Sequence, residues 1–94
     1  SSEDHAQKSN QVVIVTIPES KIQLVGLVTR ESLEELPYFE SQMVAVYVPM
    51  SYMVGGYTIF IPKSLIRPIN MSVEEAMKNS LLAWLTKTDK KRKP

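Results

Sequence analysis

The chain has 94 residues, of which 44% are hydrophobic and 22% are charged, with a net charge of +1 and no cysteine. A chain of this length forms one domain whose core needs no disulfide, and these proportions exclude a disordered or fibrous class. The lack of cysteine excludes thiol catalysis and cysteine-ligated zinc. No apolar run approaches the roughly 20 residues that a membrane-spanning helix needs.

Three segments differ in composition. Residues 1–10 are polar without a hydrophobic period, which predicts a lead-in or linker. Residues 11–86 hold the hydrophobic runs and predict a single globular domain. Residues 87–94 carry five basic residues against one aspartate, which predicts a disordered basic tail.

The first hydrophobic run predicts one strand of a hairpin. The β-branched run at 12–17 ends at Pro18 and is too short for a helix, so we expect a strand buried on both faces. After a turn at 19–21, residues 22–31 predict the partner strand. Gly26 within it predicts a bulge or a point of close backbone approach.

A second hairpin follows an acidic connection. Residues 32–42 contain three glutamates and one proline and follow directly after Glu31, which predicts an acidic connection with at most one helical turn. Residues 43–49 and 57–62 predict two paired strands. Gly55 and Gly56 are expected to supply positive φ in the turn between them.

Four apolar runs end in proline, which cannot donate to a sheet ladder, so each proline is predicted to stop a strand. The run before the last of them, at 65–68, predicts a short edge strand. Core or sheet-face packing is expected for the aromatic residues of the second hairpin. These prolines and aromatics are Pro18, Pro49, Pro62, Pro68, Tyr47, Tyr57 and Phe60.

One helix is predicted near the end of the domain. Ser72 and Glu75 have the spacing of a capping box, in which each side chain accepts the other residue's backbone N–H. One face at helical spacing is expected to pack on the sheet and comprises Val73, Met77, Ser80, Leu81 and Trp84. Together, these elements predict an α+β fold: a mainly antiparallel sheet of four or five strands, or a small partly open barrel, with one C-terminal helix.

The residue types of common enzyme sites are missing. His5 is the only histidine and lies in the lead-in, and no phosphate-binding glycine loop is present. Helix capping and a solvated loop account for the carboxylates. We therefore expect no enzyme activity, no cofactor and no metal.

An apolar hairpin tip and an apolar helix end form a candidate interface with a bilayer or with another copy of the chain. Its residues are Met50, Tyr52, Met53, Val54, Leu82 and Leu85. The alternative, in which the loop folds back onto the core as a lid, stays open at this point.

The basic tail supplies a candidate contact with an anionic lipid surface, worth roughly 1 kcal/mol for each Lys or Arg close to it. No aromatic residues alternate with the basic ones, so no nucleic-acid partner is expected. The candidate residues are Lys90, Lys91, Arg92 and Lys93.

Three stretches resemble a known family when taken in order: "SSEDHAQKSNQVVIVTIPESKIQLVGLVT", "MVAVYVP" and "GGYTIFIPKSLIRPINMSVEEAM". They look like the soluble C-terminal part of the continuous-vascular-ring-like (COV-like) membrane proteins, domain of unknown function 502. The resemblance implies an upstream two-helix membrane hairpin and no established activity or site residue. It further implies a full-length protein integral to the bacterial inner membrane, and we favour the cytoplasmic side for this domain.

The function that we expect is a non-enzymatic, membrane-tethered interaction or assembly module, with self-association as one form of it. The alternative is a small ligand-binding or regulatory sensor domain, which a pocket enclosed within the sheet would favour.

Overall fold

The computed structural model describes residues 11–51 and 55–82, which form one five-stranded sheet and one helix. The elements are β1 (Val12–Thr16), β2 (Gln23–Arg30), β3 (Met43–Ser51), β4 (Gly55–Pro62), a 3-10 turn (Lys63–Leu65), β5 (Ile66–Pro68) and α1 (Val73–Leu82). The strands lie in the order β4-β3-β2-β1-β5, and every neighbouring pair is antiparallel. The predicted α+β class, with an open antiparallel sheet and one C-terminal helix, is confirmed. The predicted linker and basic tail lie outside the described residues.

The sheet is strongly curled because its two edges are joined by the short 3-10 turn. In a flat sheet, four strand spacings would separate β4 from β5 by about 19 Å. The four Cα steps from Pro62 to Ile66 reach at most about 15 Å. The edges must therefore approach each other across one face, which becomes concave, although β4 and β5 do not pair.

Two hydrophobic clusters lie on opposite faces of the sheet. The concave face holds a valine cluster from β1, β2 and β3, flanked by isoleucines of β4 and β5. The opposite face packs against α1 through Val12, Leu27 and Ala76, which are all buried. Burial on both faces explains why β1 is a continuous apolar run rather than an alternating one.

Gly26 is a point of close approach between β2 and its neighbours. A Cβ atom placed there would lie 2.4 Å from Cγ1 of Val46 on β3. The bulge of β2 lies further along, where the register shifts between Val28 and Arg30. The Thr29 hydroxyl donates to the Ala45 carbonyl at that shift, at 3.3 Å.

Two predictions about the second hairpin are wrong. Gly55 has positive φ (91°), but Gly56 does not. A Cβ on Gly56 would clash with the Val48 carbonyl and the Tyr47 ring, so Gly56 lets that ring lie across β4. Pro49 does not stop β3, because it faces Gly56 inside the ladder; the register shifts only after it, between Pro49 and Ser51.

The connection between β2 and β3 contains no helical turn, only turns and bends. Leu33 anchors the connection to the domain, because its side chain is only 2% exposed. The acidic residues around it in the sequence did not indicate this burial. An exposed ion pair joins Arg30 to Glu35 at 2.9 Å. The ring of Phe39 packs against that of Phe60 on β4, with centroids 4.8 Å apart.

The helix begins as predicted and packs differently from the prediction. The Glu75 N–H donates to the Ser72 hydroxyl at 3.1 Å, and the Ser72 N–H donates to the Glu75 carboxylate at 3.4 Å, so the capping box is confirmed. Val73 is 40% exposed, because the first turn extends into solvent. Ala76 is the fully buried residue, since its small side chain brings the helix close to the sheet.

Candidate interaction surface

The structure describes two members of the predicted interface. Met50 is 65% exposed near the end of β3, and Leu82 is 36% exposed at the end of α1. They lie on separate elements and belong to neither buried cluster. The other four interface candidates lie outside the described residues and are Tyr52, Met53, Val54 and Leu85. The predicted contacts with an anionic lipid surface also lie outside them and are Lys90, Lys91, Arg92 and Lys93.

Strand β4 is the more exposed surface. It has a neighbour on one side only, which is β3, among the residues that the structure describes. Tyr57 is 68% exposed and Phe60 is 46% exposed, so of the two predicted environments, core or sheet face, only the sheet face fits them. All eight residues from Gly55 to Pro62 are uncharged. Sequence reasoning missed this edge because strand order is a tertiary property.

The ladder between β3 and β4 determines which backbone groups point outward. The Lys63 N–H donates to the Gln42 carbonyl at 2.8 Å, and these two residues lie opposite each other in the register. Because such bonded pairs alternate along an antiparallel ladder, Tyr57, Ile59 and Ile61 direct their backbone groups towards β3.

The intervening residues direct their backbone groups to the free edge. The Ala45 carbonyl accepts a bond from β2, so the backbone of its partner Phe60 points away from β3. The outward residues are therefore Gly56, Thr58, Phe60 and Pro62. The first three carry an N–H and a carbonyl, whereas proline carries only the carbonyl.

The opposite edge of the sheet is short. Strand β5 has three residues, it includes the exposed charge of Arg67, and it ends at Pro68. The Ile69 N–H donates to the Val12 carbonyl just after β5, and α1 begins four residues further on, at Val73. Short length, charge and proline are the features that keep an edge strand from pairing.

A cleft of about 220 Å³ opens on the concave face, close to the 3-10 turn. Its apolar floor is formed by valines of β1, β2 and β3 together with Ile66. Gln11, Glu31 and Lys63 supply polar groups at its rim. The Gln11 amide is held by bonds to the Val12 and Ile69 carbonyls, so it fixes one wall.

Residues 11–51 and 55–82 contain neither a metal-binding cluster nor a membrane-spanning helix. No three histidine, aspartate or glutamate side chains lie close enough there to bind a metal ion. In the same part of the chain, no helix has the length and apolar character needed to cross a bilayer.

The family model described as "Protein of unknown function (DUF502)" matches residues 1–56, more than half of the chain. The chain belongs to the DUF502 family. This family is associated with membrane proteins. The match covers β1, β2 and β3 of the DUF502 domain and ends within β4. No curated protein and no solved structure matches the chain.

Proposed function

We propose that this DUF502 domain is a non-enzymatic assembly module, held at a membrane, which makes its contacts through the free edge of β4 and the adjoining hairpin tip. The observation that carries the proposal is the edge itself. It offers backbone donors and acceptors over eight uncharged residues, with Tyr57 and Phe60 exposed beside them. An edge of this kind pairs readily with another strand.

The apolar hairpin tip extends the same surface. Met50 lies near the end of β3, and its 65% exposure gives this end of the hairpin an unburied thioether side chain. Burying one such side chain completely contributes about 1.5–3 kcal/mol before the cost of association. Membrane tethering raises the effective concentration, so modest contacts of this size suffice for assembly.

The membrane setting belongs to the proposal. The association of the family with membrane proteins supports it. In our proposal the full-length protein is COV-like and integral to the bacterial inner membrane, with this domain C-terminal to the membrane hairpin on the cytoplasmic side. The basic residues Lys90, Lys91, Arg92 and Lys93 then face anionic lipid headgroups. Deleting residues 87–94 should reduce co-sedimentation of the protein with anionic liposomes and leave its co-sedimentation with neutral liposomes unchanged.

The test places a photo-crosslinking amino acid at single positions of the full-length protein in its native membrane. With the probe at Tyr57 on the β4 edge, we expect protein adducts. With the matched probe at Arg67 on the β5 edge, which is equally a strand residue, we expect none. Adducts of equal yield at both positions, or none at Tyr57, would refute the proposal.

The cleft favours a second candidate, a sensor for a small apolar ligand with a polar end. Its volume of about 220 Å³ is below the roughly 300–1,000 Å³ of typical ligand pockets, which is why it ranks second. Val44→Phe would fill the floor of the cleft. If the sensor function is correct, short-chain fatty acids should raise the melting temperature of the original chain and not that of this variant.

A further inference from the structure

We infer that the strand that pairs with β4 is β4 of a second copy of this chain, antiparallel and related by a two-fold axis at Ile59. This inference rests on the proposed function and names its partner. The pairing would join two five-stranded sheets into one continuous sheet across the axis.

The hydrogen-bond pattern of the edge is self-complementary in this register. Thr58 lies opposite Phe60 of the other copy, and because both direct their backbone groups outward, the two residues exchange two hydrogen bonds. By symmetry the same pair recurs on the other side of the axis. At each end of the ladder, the Gly56 N–H donates to the Pro62 carbonyl of the other copy. Because Pro62 lies only at these ends, its missing N–H removes no hydrogen bond from the interior of the ladder.

The side chains also match. Tyr57 lies opposite Ile61 and Ile59 lies opposite its own copy, all on the concave face. The exposed ring of Tyr57 thereby gains an apolar neighbour, and such cross-strand pairs each contribute to sheet stability. A register centred on Thr58 would instead place Gly55 opposite Ile61 and leave Pro62 beyond the partner strand.

Charge favours a second copy over an unrelated strand of arbitrary sequence. Two copies of a charged edge would bring like charges opposite each other at the axis. The uncharged sequence of β4 avoids this repulsion along its whole length. A two-fold interface uses the same surface twice, so one exposed edge is sufficient.

Disulfide trapping tests the register, because the chain has no cysteine of its own. Residues opposite each other at a non-hydrogen-bonded position have Cα atoms about 4.5 Å apart, within the range that a disulfide spans. In full-length protein in its membrane, with any cysteine outside these residues replaced by serine, Ile59→Cys should give a covalent dimer on mild oxidation.

A second pair of variants keeps the test independent of the half-buried Ile59. Tyr57→Cys alone should not link, because its copy lies four residues away along the strand, about 13 Å. Mixing Tyr57→Cys with Ile61→Cys should restore the covalent dimer. Arg67→Cys, on the other edge, is the matched control and should give no covalent dimer.

Charging the edge gives a readout without oxidation. Thr58→Lys should lower self-association at least tenfold in sedimentation of the detergent-solubilised protein. Thr16→Lys is the matched control, because Thr16 is also an exposed strand threonine but pairs with Gln23 inside the sheet. It should leave self-association unchanged.

Three results would overturn the inference. They are a linked Arg67→Cys dimer as abundant as that of Ile59→Cys, no linkage by any β4 variant in a folded protein, and equal loss of association by Thr58→Lys and Thr16→Lys. If the photo-crosslinker at Tyr57 yields adducts only with other proteins, the partner is not a second copy and the proposed function stands. If it yields no adduct, both fail.

Discussion

The two edges of the sheet differ in nearly every property that governs strand pairing. Strand β4 has eight uncharged residues, whereas β5 has three residues and one of them is charged; both strands end in a proline. The helix follows β5 after four residues, while β4 begins with Gly55 at positive φ.

The difference indicates which edge is available to a partner. A sheet whose strands all came from local hairpins would leave β1 and β4 as its edges. In this domain β5 covers β1 and is itself protected, so one edge is closed and the other is left open. Four substitutions test whether the difference between the open β4 edge and the closed β5 edge depends on the particular residues of each edge.

The largest effect is expected on the β4 side, from Gly56→Ala. The added Cβ would lie 2.4 Å from the Val48 carbonyl and 2.5 Å from the Tyr47 ring, so the ring or the strand must move. Overpacking of this kind costs about 1–3 kcal/mol of unfolding free energy. Chemical denaturation measures it, with Thr58→Ala as the neighbouring control. Equal midpoints for the two variants would show that the ring does not depend on Gly56.

The second-largest loss of stability is expected on the β5 side, from removing the N-cap of the helix that follows β5. Ser72→Ala removes the hydroxyl that accepts the Glu75 N–H, and loss of such a cap costs about 1 kcal/mol. The denaturation midpoint should fall at constant m-value, while disulfide trapping at Ile59→Cys should be unaffected. Ser41→Ala, at an exposed position before β3, should change neither. A weaker dimer in the Ser72 variant would mean that the two edges are not independent.

A smaller loss of unfolding free energy is expected where the connection between β2 and β3 packs against β4. Phe39→Leu removes the ring that packs on Phe60, and an aromatic pair of this geometry contributes about 0.5–1.5 kcal/mol beyond its buried area. Unfolding experiments should show this loss. In a double-mutant cycle with Phe60→Leu, the two single losses should not add, because both remove one interaction. Strict additivity would contradict a direct pairing of the two rings.

The smallest effect is expected from Arg67→Thr, which removes the charge of β5. Substitution at an exposed site changes stability by less than about 0.5 kcal/mol. Self-association should not increase, since three residues offer too little backbone to a partner strand. If the variant does associate through β5, the charge and not the length protects that edge. Sedimentation of the variant beside the original chain decides between these two causes.

Much of the fold could be predicted because the signals are local. The β-branched run at 12–17, the capping box at Ser72 and the positive φ of Gly55 each depend on a few neighbouring residues. Gly26 marked a close approach from sequence alone, and the structure places Val46 there.

The rest depends on contacts between distant segments. Pro49 is tolerated inside β3 because its partner Gly56 lies at a non-hydrogen-bonded position, a property of register. Leu33 is buried because the connection folds onto the domain, although glutamates surround it in sequence. The β4 edge was missed for the same reason: no local pattern shows that β5 would cross to β1 and leave β4 unpaired.

The pairing of β5 with β1 also has a consequence for synthesis of the chain. Val13 lies opposite Pro68, which is 55 residues further along the chain. During synthesis, β1 therefore lacks its second neighbouring strand until the ribosome has added β5. The two hairpins close early because their contacts are local, whereas this last pairing has high contact order. Until then β1 is an exposed edge of five uncharged residues, all of them β-branched. Nascent chains truncated before residue 66 should therefore aggregate more readily than chains that extend past residue 68.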